Sequence, residues 1–305
     1  MKNMPEKFRF PFAIALAVFL TAATNISAQT VAVSTAASVN AKQARPVITR
    51  TEKDIPYYPA DIAAAKPDSY RDTQCLLDIR YPENVADYAT LVWFYGGGLT
   101  GGKRSFEKIG NGKIARVDVG YRLSPKAENP AWLEDAAAAV AWTLQNIAAR
   151  GGDPKKVFIA GGSAGGYIVA MLGTDPRWLA PYKFAPGNLA GVIPVSGQVA
   201  KHATVKKALG DTISRYRPII DEWAPLYWVA EKNLPPFCLI VGDRKREQPN
   251  RVEENALFAS ALRSCGHPFV EFYEMGGLDH GGAQIGGNII IPQFIERVLK
   301  TRNSP

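Results

Sequence analysis

Residues 157–169 read VFIAGGSAGGYIV. An apolar run meets a block in which four of six residues are glycine, with Ser163 at its centre, and a second apolar run follows. The first run has the β-branched and aromatic content of a buried strand, and the second opens a helix. Gly161-Gly162-Ser163-Ala164-Gly165 therefore fits G-x-S-x-G at a strand-to-helix turn. In such a turn the serine takes a strained backbone conformation that lifts its Oγ above the sheet. The residues two before and two after it crowd strand and helix, so they must be nearly free of side chain. The helix that follows aims its first N–H groups at the site and favours developing negative charge there. The block has no P-loop lysine and not the spacing of a dinucleotide fingerprint, which argues against a phosphate cradle.

A second glycine block lies upstream, in YGGGLTGG at residues 95–102, directly after a strand-like run. Acyl transfer needs N–H donors where a carbonyl oxygen becomes an oxyanion. One comes from the residue after the serine, Ala164. Others come from a glycine loop after an earlier strand, which places Gly96 and Gly97 as candidates. A base must take the serine proton, and the chain offers three histidines. His202 opens a long segment between strands, and His267 sits in a turn before the last strand. Both read as structural. His280, in GGLDHGG, sits in the loop between the last strand and the last helix, and the chain order serine, acid, histidine assigns it the base. The acid should follow the strand ending LIVGD, and the candidates are Asp243 and Glu247. Its task is to hold the imidazole tautomer and stabilise the imidazolium. Asp279, adjacent to the histidine, reads as a turn residue.

Around these blocks, strands and helices alternate from about residue 70. CLLDIRY, TLVWFY, ARVDVGY, KVFIAGG, AGVIPVS, PFCLIVGD and PFVEFYEM read as strands. PAWLEDAAAAVAWTLQNIAARGG, AGGYIVAML, VEENALFASALRSCG and IPQFIERVLK read as helices. That order predicts a mostly parallel central sheet flanked by helices on both faces. Residues 200–235 break the rhythm and predict a small cap-like insertion over the C-terminal edge of the sheet, where ligand sites of such sheets lie.

The first 28 residues have Lys2, Lys7 and Arg9 ahead of a short apolar segment from Phe12 to Leu20 and a small residue at Ala28. They read as an export signal, too short and too soon interrupted to remain as a span. Residues 29–50 read as a mobile leader, and residues 51–305 as the folded domain. A secreted or periplasmic location is expected, with no stable membrane insertion once the signal is cleaved. The chain carries a formal charge of +8, and three cations and one anion belong to the signal. The remaining cations are dispersed and lack interleaved aromatics, so a nucleic-acid surface is not expected. Cys75, Cys238 and Cys265 are too widely spaced for a metal motif. Cys75 and Cys238 read as small buried side chains, with a single disulfide open.

YGGGLTGG, GYRLSP, LEDAAAAVAW, GGDPKKVFIAGGSAGGY, VEENALFASALRSCGHP and GLDHGG together resemble the α/β-hydrolase-fold esterases of the hormone-sensitive-lipase-like and acetyl-esterase kind, over about residues 70–300. The resemblance implies hydrolysis of short-chain, acetyl-type carboxylic esters, small-molecule or carbohydrate-linked, by a serine mechanism with no metal and no cofactor. Two positions depart from the family. Tyr95 stands where a histidine usually precedes the glycines and braces their loop. Lys245 stands where the family has its acid, three residues after Gly242, and a carboxylate on a longer arm, Glu247, could take its place. A serine peptidase or amidase, and a binding protein on a hydrolase scaffold that has lost catalysis, are the competing expectations.

Overall fold

The computed structural model describes residues 46–105, 112–212 and 214–302. The expected signal and all but the last residues of the expected leader lie outside them. Eight strands form one sheet: β1 (Thr49–Pro56), β2 (Leu76–Pro82), β3 (Tyr88–Phe94), β4 (Ala115–Val119), β5 (Gly152–Gly162), β6 (Gly191–Val195), β7 (Phe237–Gly242) and β8 (Val270–Met275), in the order β1-β2-β4-β3-β5-β6-β7-β8. β1 pairs antiparallel with β2, and β2 antiparallel with β4. Every other neighbouring pair is parallel. The helices are α1 (Ala60–Ala65), α2 (Ser69–Gln74), α3 (Ala131–Asn146), α4 (Ala164–Thr174), α5 (Ala203–Ala208), α6 (Arg251–Ser264) and α7 (His280–Arg302). Among the described residues, no helix is long and apolar enough to cross a membrane.

The period-2 alternation of the central strands divides their side chains between two cores. Val92 and Phe94 of β3, with Val157 and Ile159 of β5, face a core that also holds Trp132 and Ala136 of α3, Tyr167 and Met171 of α4 and Phe258 of α6. Leu91 and Trp93, with Phe158 and Ala160, face the other, closed by Ile291, Phe294, Ile295 and Val298 of α7. The sheet is thus covered on both faces, as the alternation of elements requires.

Four elements depart from the sequence reading. β1, α1 and α2 precede the expected first strand. β1 is polar and largely exposed. It has no hydrophobic alternation to reveal it and is held as an edge by backbone pairing to β2. The last helix begins at His280 rather than near Ile291, because Gly281, Gly282, Gly286, Gly287 and Pro292 mask its first turns as loop. Arg122 fastens the N-terminal helices to the body. Its guanidinium bonds buried Asp135 of α3 at 2.7 Å and Asp68, the N-cap of α2, at 2.9 Å.

The glycines of the strand-to-helix turn have a steric cause. A Cβ on Gly165 would lie 2.1 Å from the Phe94 carbonyl oxygen, and one on Gly161 would lie 2.5 Å from the Gly165 carbonyl. Neither partner is a side chain that can move aside. Gly165→Ala is expected to destabilise the protein by at least about 3 kcal/mol, through forced backbone displacement. Gly276→Ala, where a Cβ meets nothing within 4 Å, should stay within about 1 kcal/mol of the parent. Urea unfolding of both variants checks this, and equal losses would remove the steric account.

Candidate active site

β5 ends at Gly162 and α4 begins at Ala164, so Ser163 occupies the turn between them. Its φ is 54° and its ψ −113°, a conformation that non-glycine residues rarely adopt. Two backbone bonds hold it there. Ser163 N–H donates to the Val195 carbonyl at 2.7 Å, and Tyr167 N–H donates to the Ser163 carbonyl at 3.1 Å.

His280, the first residue of α7, meets Ser163 across the turn. Its Nε2 lies 2.9 Å from Ser163 Oγ, and its Nδ1 lies 2.6 Å from Glu247 Oε1. A carboxylate can only accept, so Nδ1 carries the ring proton and Nε2 is left to accept from the serine hydroxyl. Asp279 takes no part in this chain. Its carboxylate caps α7 by accepting from Gly282 N–H at 2.8 Å.

Of the two acid candidates, Glu247 is the one that reaches the histidine. Its side chain is fully shielded from solvent. Burial opposes its ionisation, but hydrogen bonds from His280, from Ser196 Oγ at 2.6 Å and from the Gln248 N–H at 2.7 Å outweigh it and bring its pKa down to about 2. The Gly242 N–H adds a longer bond at 3.2 Å. Asp243 does not join them. Its carboxylate faces the next turn, where it accepts from Gly277 N–H at 2.7 Å and Lys245 N–H at 2.9 Å. The reason is local winding. Arg246 and Glu247 N–H both donate to the Asp243 carbonyl at 2.8 Å, and this turn returns residue 247, not 243, beneath the end of β7. Lys245 is exposed on the outside of the same turn.

Gly96 and Gly97 run beside the serine. A Cβ on Gly96 would lie 3.2 Å from Ser163 Cβ. Gly97 has a φ of 106°, open to glycine, and its carbonyl accepts from both Thr100 and Gly101 N–H at 3.1 Å. Tyr95 supports the loop from below. Its ring stacks on Tyr121 with centroids 4.4 Å apart, and its carbonyl accepts from Tyr121 OH at 2.7 Å. Ala164 N–H heads α4 on the other side of Ser163. Gly96 and Ala164 thus both adjoin Ser163, and their N–H groups, with that of Gly97, are the candidates to polarise a carbonyl placed over the serine.

A cavity of about 640 Å³ opens above Ser163 and His280. Residues 200–235 supply much of its wall through His202, Lys206, Lys207 and Arg215, and α6 adds Arg251. Ser196, His202, Arg215, Arg251 and Gln284 were not readable as site residues from sequence. His202 shows why: it is a lone histidine with no motif, and only the fold brings it to the cavity. His267 stays structural, with its Nε2 2.8 Å from the Val229 carbonyl. Cys75 and Cys238 are buried, Cys265 is exposed, and all three are free. Among the described residues, no group of three His, Cys, Asp or Glu converges as a metal site would require.

A family model described as alpha/beta hydrolase fold matches residues 91–284, and the chain belongs to that family. Among curated proteins it is similar to esterase LipC of Mycobacterium tuberculosis, 26% identical over 235 residues that make up 69% of this chain and 57% of LipC. It is also similar to carboxylesterase NlhH of the same species, 35% identical over 101 residues, 31% of this chain and 32% of NlhH. The chain thus spans less than two thirds of the length of these relatives. Among solved structures, esterase B of Lactobacillus rhamnosis superimposes with a TM-score of 0.62 at 17% identity, covering 84% of this chain and 87% of that one. At that identity the likeness is one of fold.

The buried carboxylate gives the site a pH signature. Glu247 is held at about 2 in the fold against an ordinary value of 4.5. A depressed carboxylate contributes stability that is fully present above the ordinary value and is lost as pH falls toward the folded one. The urea midpoint of the parent should therefore fall more steeply between about pH 4.5 and 2 than that of Glu247→Gln. Parallel curves through that window would mean that the ionised carboxylate contributes nothing to the fold.

Proposed function

We propose that this protein is a serine carboxylesterase acting on short-chain, acetyl-type esters through an acyl-enzyme intermediate. The observation that carries the reading is the continuous hydrogen-bond chain from Ser163 Oγ through His280 to Glu247, at the floor of a cavity of about 640 Å³. Ser163 Oγ attacks the ester carbonyl carbon while His280 Nε2 takes its proton. The carbonyl oxygen becomes an oxyanion and draws on the N–H groups of Gly96, Gly97 and Ala164. His280, now an imidazolium facing Glu247, gives the proton to the departing alkoxide, and the alcohol leaves. Water then repeats the sequence on the acyl-enzyme and releases the acid.

The cavity wall supports short acyl groups. Among the described residues that line it, Ala203 is the largest aliphatic side chain, so no Leu, Ile, Val or Met is there for a long chain to pack on. The names of the relatives, esterase and carboxylesterase, favour an ester over an amide. Lys245, standing where the resembled family has its acid, is the residue that favours a scaffold without catalysis; its exposed position outside the turn, with Glu247 on His280, weighs against that reading. We further propose that residues 1–28 direct export and that the enzyme works outside the cytoplasm on small-molecule or carbohydrate-linked esters.

Ser163→Ala should abolish hydrolysis of p-nitrophenyl acetate with an unchanged circular dichroism spectrum, and retention of most of the parent kcat would remove the nucleophile. The acid is tested by ranking. Glu247→Gln leaves the imidazolium without its counter-charge and should lower kcat by up to about 10⁴-fold. Asp243→Asn disturbs only a turn and should cost less than about tenfold. The reverse ranking, on one ester at one pH, would transfer the role to Asp243.

A further inference from the structure

The cavity above Ser163 carries charge that ester cleavage itself does not require. Lys206, Lys207, Arg215 and Arg251 line it, and among the described lining residues Asp211 is the one carboxylate. These cations come from α5, from the loop after it and from the start of α6, so no single helix face explains them. The bonds they make leave donors over. Lys206 Nζ donates to the carbonyls of Arg215 and Arg217, which occupies two of its three hydrogens. Arg251 Nη1 donates to the Ser196 carbonyl, one of five donors on its guanidinium. Arg215 lies 5.2 Å above the Tyr216 ring. Glu254 and Glu247 are the anions that bear on Arg251, and neither lines the cavity above Ser163.

His202 adds a neutral donor. Its Nδ1 accepts from Thr204 N–H at 3.1 Å, so the uncharged ring carries its proton on Nε2. Burial, then Arg251, Arg215 and Lys206, push its pKa down to about 3, so it stays uncharged at neutral pH. The wall therefore offers N–H donors of net positive charge beside a nucleophile. Such a wall discriminates by charge: an oxyanion gains charge-assisted hydrogen bonds there that a neutral group of the same size does not.

We propose that the cavity selects esters whose alcohol moiety carries an anionic oxygen group, carboxylate or sulfate, and that Lys207, Arg215, Arg251 and the Nε2–H of His202 receive it. The bond that is cleaved rests on the esterase reading, and the anion site does not. The alcohol side is assigned because a short acyl group leaves most of the 640 Å³ to the other half of the substrate. The cluster also steers: a cationic cleft raises the encounter rate of an anion and loses that advantage in salt.

The test compares 4-acetoxybenzoate and 4-acetoxyphenyl sulfate with neutral methyl 4-acetoxybenzoate, each rate divided by that ester's hydroxide-catalysed rate. At low ionic strength the normalised kcat/KM should favour the anionic esters by about tenfold or more. The ratio should fall on addition of NaCl and should approach unity in the Lys207→Gln/Arg215→Gln double variant. The arm with the larger ratio, carboxylate or sulfate, names the group. In parallel, calorimetry measures binding of 4-hydroxybenzoate and of methyl 4-hydroxybenzoate to the Ser163→Ala protein. The anion should bind more tightly than its neutral twin, and the double variant should erase the difference. If both ester classes are cleaved at equal normalised rates and 4-hydroxybenzoate binds no better than its methyl ester, the anion site is refuted and the esterase reading stands. If no ester is cleaved yet the cation-dependent binding is seen, the anion site stands and the esterase reading falls. A ratio that the double variant leaves untouched refutes the assignment to these side chains.

Discussion

The contact between Gly165 and the end of β3 governs the geometry of the site. With no Cβ at residue 165, the start of α4 can come against the Phe94 carbonyl, closer than any side chain would permit. That approach does two things at once. It brings the N-terminus of α4 against the end of β3 and the start of the glycine loop, where a Cβ on Gly165 would also lie 2.7 Å from the Tyr95 carbonyl oxygen. It also compresses the turn, so Ser163 is left with φ 54° and an Oγ that stands free of the sheet. A residue in that conformation costs about 1–3 kcal/mol. The cost is tolerated because the serine's own N–H and carbonyl are both bonded, to Val195 and to Tyr167. The strain therefore sits in the torsion angles, and no backbone hydrogen bond of the serine is sacrificed to it.

The second constraint is a carboxylate taken out of water. Glu247 is fully shielded, and an ionised carboxyl there without partners would be neutralised or expelled. Its two oxygens instead receive His280, Ser196, Gln248 N–H and Gly242 N–H. Two of these donors are backbone groups, fixed by the turn itself. The carboxylate that meets His280 stands two residues beyond Lys245, the position at which the resembled esterases usually have an acid, and the long arm of glutamate accompanies that offset. Tyr95 is a comparable replacement. A flat ring stacked on Tyr121 fills the space beneath the glycine loop, and the tyrosine's carbonyl serves as a fixed acceptor for its neighbour.

What the sequence disclosed and what it hid follow from how local each cause is. The serine turn and the glycine loop were legible because backbone crowding leaves its mark on adjacent residues, as runs of glycine. The central strands were legible because burial on both faces demands continuous apolar runs such as TLVWF. β1 was not, since an exposed edge strand is held by backbone bonds that carry no residue code. The first turns of α7 were masked by glycines that bring the helix close to its neighbours. Gly286 is one: a Cβ there would lie 2.5 Å from the Met275 side chain. Asp243 and Glu247 could not be separated because both follow the same strand. Only the direction in which one turn winds decides which of them meets His280.

The donors of the cavity wall were hidden for a different reason. Residues 202, 206, 215 and 251 have no common spacing, and each taken singly reads as a solvated surface residue or a packing histidine. Their convergence is a property of the tertiary structure, and Ser196 shows how closely it is joined to the hydrogen-bond chain. Ser196 Oγ donates to Glu247, while its carbonyl accepts from Arg251. One residue directly after β6, held at φ 50°, thus ties the carboxylate behind His280 to an arginine of the cavity wall. The positive charge of Arg251 favours the ionised form of Glu247, and Glu247 in turn favours the cation. The arginine therefore faces two ways, toward a buried carboxylate that is always present and toward an open cavity. Because Glu247 and Glu254 offset part of its charge, Arg251 can remain in a largely buried wall while it lines the cavity. Lys207 and Arg215, more exposed and without such support, carry the longer-range part of the field.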